Sequence, residues 1–139
     1  MTSIRTFRPS DEPQVVALWH ACGLVVPWNV PTLDIARKTA FQPELFFVGE
    51  DEERIVASVM AGYEGHRGWI NYLAVDPACR GRGWGRELMA FVEERLQALG
   101  CPKINLQVRG SNRAVLAFYE RLGYRVDDAV SLGKRLDGR

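Results

Sequence analysis

The chain has 139 residues, 47% hydrophobic and 25% charged, which suits one folded domain spanning 1–139. A formal net charge of +1 supplies no field for nucleic acid or an anionic membrane, so any anion site must be local. No signal-peptide core or bilayer-length apolar run is present, and Cys22, Cys79 and Cys101 are too scattered for a disulfide framework or a metal site; a cytoplasmic protein without metal is expected.

In chain order, SIRTFR alternates as a first strand. Ser10 is placed to cap a helix carrying Val15, Leu18, Trp19 and Cys22 on one face, with Gly23 to end it. LVVPWNVP reads as irregular, and TLDIARKTAF as a short helix capped by Thr32. ELFFVGE and RIVASVMAGY flank DEE as a hairpin; EGHRG turns the chain into a third strand of this group, WINYLAV, which stops at Asp76-Pro77. Leu88, Met89, Val92, Leu96 and Leu99 then form a helical stripe closed by Gly100. KINLQV reads as a strand, SNRAVLAFYERLG as a capped helix, and YRVDDAV and SLGKRL as two weaker strands. Hairpins mixed with one crossover predict an α+β fold with a mixed, mostly antiparallel sheet and helices on its faces.

The chemistry concentrates in CRGRGWGRE, where Gly81, Gly83 and Gly85 alternate with Arg80, Arg82, Trp84 and Arg86 between a strand and a helix. Glycine permits positive φ and close ligand approach, and a helix start offers amide donors to an anion. Neither the P-loop pattern nor the GxGxxG dinucleotide pattern fits. A disordered RGRG-type RNA segment does not fit a strand–helix joint.

Arg80-x-x-Gly83-x-Gly85 resembles the acyl-coenzyme A pyrophosphate loop of the GNAT superfamily of N-acetyltransferases. NRAVLAFYERLGY resembles that family's later segment, and together the two blocks cover the C-terminal half. PWN, DIARK and GYEGHRG look like the small stand-alone bacterial acetyltransferases of the YpeA type.

The resemblance implies about seven strands, splayed between strands 4 and 5, with about four helices. It implies acetyl-CoA or coenzyme A as cosubstrate and transfer of acetyl to a primary amine of a small molecule or protein by direct attack in a ternary complex. Leu73, Ala74 and Val75 would bind the pantetheine arm by their backbone. Arg80, Gly81, Arg82, Gly83, Trp84, Gly85 and Arg86 would hold the pyrophosphate. Asn112 either caps its helix or contacts coenzyme A. Tyr119 is the general-acid candidate and a cofactor contact. Many relatives carry a glutamate base on the strand before the loop, but WINYLAV has no carboxylate. The base candidates are Glu64 and His66 in the turn, or a water held by Asn71 or Tyr72. Trp28, Asn29, Tyr63 and Asn71 would line an acceptor pocket. A homodimer stays open, as does a noncatalytic acyl-CoA-binding or sensing module on the same fold.

Overall fold

The computed structural model describes residues 2–138. Met1 and Arg139, the ends of the expected domain, lie outside the described residues. The elements are β1 Thr2–Thr6, α1 Glu12–Ala21, α2 Pro31–Ala40, β2 Phe46–Asp51, β3 Arg54–Tyr63, β4 Gly68–Val75, α3 Trp84–Ala98, β5 Ile104–Leu106 and α4 Arg113–Arg121. The chain falls into two compact units, one running to Leu106 and one starting at Gln107.

The first unit holds the sheet, in the order β1-β2-β3-β4-β5. The pairings are antiparallel except for parallel β4 and β5. This is the α+β class and the mixed sheet expected. Strand alternation sorts the core into two layers. Phe46 and Val48 join Val15, Leu18, Trp19 and Ile35 under α1 and α2. Phe47 faces the other way, its ring edge-on to Phe91 of α3 at 4.9 Å. Leu88, Met89, Val92 and Leu96 of α3 are all buried, as their stripe requires.

Two helix starts differ from expectation. Neither Ser10 nor Thr32 caps a helix: the N-cap positions are Asp11 and Val30, without side-chain cap bonds, and each helix has proline in its first turn. Proline has no N–H, so each start has one fewer donor to satisfy. Asp11 is instead held by the Arg5 guanidinium at 2.8 and 2.9 Å and by the Arg8 amide at 2.8 Å. Burial pushes its carboxyl pKa up, but the bonds from Arg5 and Arg8 outweigh this and the net shift is downward.

The second unit contains α4 and then a stretch without regular structure. Of the roughly seven strands expected, five are present among the described residues. YRVDDAV and SLGKRL form none. Val126, Val130, Leu132 and Leu136 are 76–92% exposed, so their apolar faces bury too little to offset the ordering cost.

Candidate functional site

The site grows from β4. Its parallel pairing with β5 covers only Gly68, Trp69 and Ile70, which face Ile104, Asn105 and Leu106. From Asn71 to Val75 β4 has no β5 partner, because β5 ends at Leu106. The second half of β4, where the sequence places Leu73, Ala74 and Val75, is therefore without a parallel β5 partner. The Val75 carbonyl accepts from Cys22 Sγ and from Arg80 Nε, each at 3.2 Å, which ties the following loop to the strand end.

A bulge in the pairing with β3 lies just past the end of the β5 pairing. Ser58 faces Ala74 and Met60 faces Asn71, so the single Val59 opposes both Tyr72 and Leu73. Tyr72 takes the extra position with φ +54°, rare for a large side chain. Long-range contacts hold it there. Its ring stacks on Trp19 at 3.8 Å, its hydroxyl donates to Asp34 at 2.6 Å, and its carbonyl accepts from Ser58 Oγ at 3.1 Å. Trp19 Nε1 in turn donates to Ser58 Oγ at 2.9 Å. Burial, and then the bond to Asp34, raise the Tyr72 phenol pKa well above its ordinary value. Such a clamp recovers the strain of the backbone and fixes the direction of the amides that follow.

Beyond β4, Asp76 caps a 3-10 turn, Pro77–Cys79, by accepting from the Ala78 amide. Gly81 and Gly83 then stand at φ +81° and +86°, conformations that favour glycine. Gly83 is the N-cap of α3 and offers no side-chain bond to the helix. The first amides of α3 thus face the loop with no capping side chain, beside the exposed Arg80, Arg82 and Arg86. Trp84 behaves differently from its neighbours. Its ring is buried against β2, and a Cβ placed on Gly49 would stand 2.6 Å from it. The Trp84 side chain anchors α3, and only its backbone can serve the loop. The arrangement fits a pyrophosphate: a cradle with room at Gly81 and Gly83, helix-start donors and three cations.

A cavity of about 240 Å³ lies on the first unit, between α2 and the start of β4. Lys38, Phe41, Tyr63, Glu64, Trp69 and Asn71 are on its walls. It brings together Tyr63, Glu64 and Asn71 from the sequence-predicted set. Trp28 and Asn29 lie in the α1–α2 connection, outside its lining, and Trp28 is 47% exposed. Lys38, Phe41 and Trp69 were missed, since nothing in their local sequence separates them from ordinary surface residues.

Glu64 closes the β3–β4 turn. Its Oε1 accepts from the amides of Arg67 and His66, and its Oε2 from Trp69 Nε1 at 3.1 Å. The backbone bonds from Arg67 and His66 hold its carboxyl below the usual carboxylate range, which makes it a weak proton acceptor.

In the second unit, Asn112 caps α4, its side chain accepting from the Val115 amide at 3.3 Å. Tyr119 is buried, with edge-on contacts to Phe118 and Tyr124 at 5.1 and 5.6 Å. Burial pushes its phenol up to about 12.

Among the described residues, no group of three or more His, Cys, Asp or Glu is placed to hold a metal ion. No described helix is long and apolar enough to cross a membrane.

Known proteins resemble this chain along nearly all its length. It is 50% identical over 133 residues to an acetyltransferase of Yersinia enterocolitica, covering 96% of this chain and 94% of that one. It is 51% identical over 134 residues to an acetyltransferase of Sodalis glossinidius, with the same coverage. The ribosomal-protein-S18-alanine N-acetyltransferase of Escherichia coli superposes with TM-score 0.74 at 25% identity, covering 88% of this chain and 77% of that one. The PaiA N-acetyltransferase of Thermoplasma acidophilum, solved in complex with coenzyme A, shares the fold at TM-score 0.79 and 15% identity, covering 94% and 93%. The acetyltransferase (GNAT) family model matches residues 13–124, and the chain belongs to that family.

Proposed function

We propose that the protein transfers an acetyl group from acetyl-CoA to a primary amine, by direct attack while both are bound. One observation carries this reading: an arginine-flanked glycine cradle at the start of α3 directly follows a strand whose second half has no parallel β5 partner. The match of the family model across both units supports treating 1–139 as one acetyltransferase domain, acting in the cytoplasm on a small-molecule or peptide amine.

Acetyl-CoA would supply the activated acyl group. The amides of Gly81 to Arg86 would hold its pyrophosphate, with Arg80, Arg82 and Arg86 adding charge. The unpaired stretch Leu73–Val75 would hold the pantetheine arm as an added strand. A fixed amide there, aimed by the Tyr72 bulge, would stabilise charge developing on the carbonyl oxygen. Asn112, beyond its cap, would contact coenzyme A with its amide end, and Tyr119 would act as the general acid by donating a hydrogen bond to the departing sulfur.

The test is a thermal shift series. Acetyl-CoA and coenzyme A are expected to raise Tm, by mass action on the native state, while ATP and NAD do so far less. Equal shifts with ATP would refute the assignment of the loop. A panel of amines, followed by free-thiol release from acetyl-CoA, then separates a transferase from a sensing module.

The sensing reading draws on one feature. Among the described residues, Glu64 is the only carboxylate on the cavity wall, and it is committed to the turn. In the transferase reading the amine therefore loses its proton to water, and Glu64 contributes as a fixed charge. Glu64→Gln is expected to lower turnover by less than about 10-fold, below the usual scale for losing a positioned base. The rate should climb with pH toward the pKa of the amine substrate. A loss of 10²-fold or more, with stability unchanged, would restore Glu64 as the base.

A further inference from the structure

We propose that Lys38 anchors a carboxylate of the acceptor, so that the amine acetylated by this protein is an amino acid or a close analogue with an apolar side group. The inference rests on the transferase reading and names its substrate class.

Lys38 sits in the last turn of α2, half-buried, with its ammonium 5.9 Å from the centre of the Phe41 ring. Its Nζ donates to the Ala61 carbonyl. That bond has a structural reason. Pairing of β2 with β3 ends at Phe46 and Met60, so the last residues of β3 lose their partner on that side. Lys38 takes the Ala61 carbonyl, and the Gln42 amide takes both the nitrogen and the carbonyl of Tyr63 at 2.9 and 2.8 Å.

One carbonyl does not explain a charge. An ammonium has three donors, and a neutral side chain could satisfy Ala61 without burying a cation. Among the described residues, no carboxylate forms an ion pair with Lys38. Burial pushes its pKa down, only partly offset by Glu44. A half-buried cation on a cavity wall, with Glu44 acting on it only from beyond ion-pair distance, is arranged to receive an anion from the cavity.

The surroundings say which anion. Gly62 puts no side chain beside the ammonium; a Cβ there would touch Gln42 Oε1 at 3.4 Å and Nζ at 4.0 Å, and anything longer would begin to cover the charge. The floor is one face of β3 and β4, where Gly62 faces Trp69 and Met60 faces Asn71. Asn71 is two residues before Leu73, roughly 7 Å along the strand from that residue. A space of about 240 Å³ is of the size an amino acid would need. Among the described residues its wall carries one cation, Lys38, and one anion, Glu64, which suits a zwitterion and opposes a dianionic phosphate. Phe41, Tyr63 and Trp69 give apolar surface for a side group.

The experiment uses matched amines differing by the carboxylate: phenylalanine and phenethylamine, tyrosine and tyramine, methionine and 3-(methylthio)propylamine. Phosphoethanolamine is the phosphate arm. The wild-type protein is expected to acetylate at least one amino acid about 10-fold or more better than its decarboxylated partner. Lys38→Met should raise KM for that amino acid about 10–100-fold, the scale of a lost charged hydrogen bond, with kcat little changed. The decarboxylated amine should lose far less, only what loss of the Ala61 bond costs both substrates alike, and Lys38→Arg should restore the preference. Equal use of both partners, equal loss on both in Lys38→Met, or preference for phosphoethanolamine would overturn the proposal. If no amine is acetylated, the transferase reading fails by itself. Calorimetric titration of phenylalanine and phenethylamine into the coenzyme A complex then decides Lys38: selective phenylalanine binding lost in Lys38→Met upholds the anion site, and absence of such binding overturns it.

Discussion

Gly83→Val is expected to abolish the rise in Tm that acetyl-CoA produces, while the protein still folds. At a ligand concentration 100 times Kd the native state gains about 2.7 kcal/mol, and this whole gain should vanish. Two effects combine. A valine at φ +86° is strained, which disturbs the N-cap of α3 and the aim of its first amides. Its branched Cβ also fills the space that the pyrophosphate would occupy. The fold tolerates the added volume, since among the described residues beyond its chain neighbours a Cβ there would meet just the tip of the exposed Arg86 side chain, Nη2 at 3.4 Å. Gly100→Val separates strain from site. Gly100 has φ +84° and open space around a Cβ, so it carries a like backbone penalty at the far end of α3. It should lower the basal Tm yet keep the full coenzyme A shift. Loss of the shift in both variants would mean that stability, not the loop, governs binding.

The loop was legible because its determinants are contiguous. Gly81, Gly83 and the three arginines lie within seven residues, and the stripe of α3 begins at once after them. The hairpins were legible for the same reason: Asp51 pairs with Arg54 across two residues, and Tyr63 with Gly68 across four. The bulge at Tyr72 was not legible. It is fixed by Ser58, 14 residues away, and Asp34, 38 away, and Ser58 by Trp19, 39 away. No local pattern records such contacts.

Position within a motif also misled where the side chain had a second use. Trp84 lies inside the loop pattern, yet its ring is spent on Gly49. Glu64 is a carboxylate near the right strand, yet both its oxygens close a turn. Lys38 shows the converse. On a helix of alternating polar residues it reads as one more solvated lysine, and only the end of β2 pairing and the absence of a side chain at Gly62 reveal where its charge stands.

Tyr119→Phe is expected to slow acetyl transfer by roughly 10²–10⁴-fold in a single-turnover measurement, the usual scale for losing a positioned acid. The substitution deletes one hydroxyl from a buried ring and keeps the edge-on contacts to Phe118 and Tyr124, so folding should be little affected. Coenzyme A binding should also persist, because a group that acts mainly in the transition state lowers the rate without lowering ground-state affinity. The pH profile adds a second check. With its phenol pushed up to about 12 by burial, Tyr119 stays protonated across the neutral and mildly alkaline range. A leaving thiolate of ordinary pKa near ~8.5 is a weaker base than this phenolate, so full transfer to it in the ground state is uphill. The hydroxyl would act by donating a hydrogen bond that tightens as the carbon–sulfur bond breaks. The wild-type rate should therefore show no downturn from Tyr119 below pH ~10, the ordinary value for tyrosine. Folded-state pKa above the unfolded value also means that the stability contribution of the group is complete below pH ~10 and fades as the pH rises toward the folded value. Tyr119→Phe should blunt that alkaline loss of Tm. Single-turnover conditions are required, since slow product release would mask the chemical step. An unchanged single-turnover rate would remove Tyr119 from the mechanism and leave protonation of the thiolate to water, with the family assignment intact.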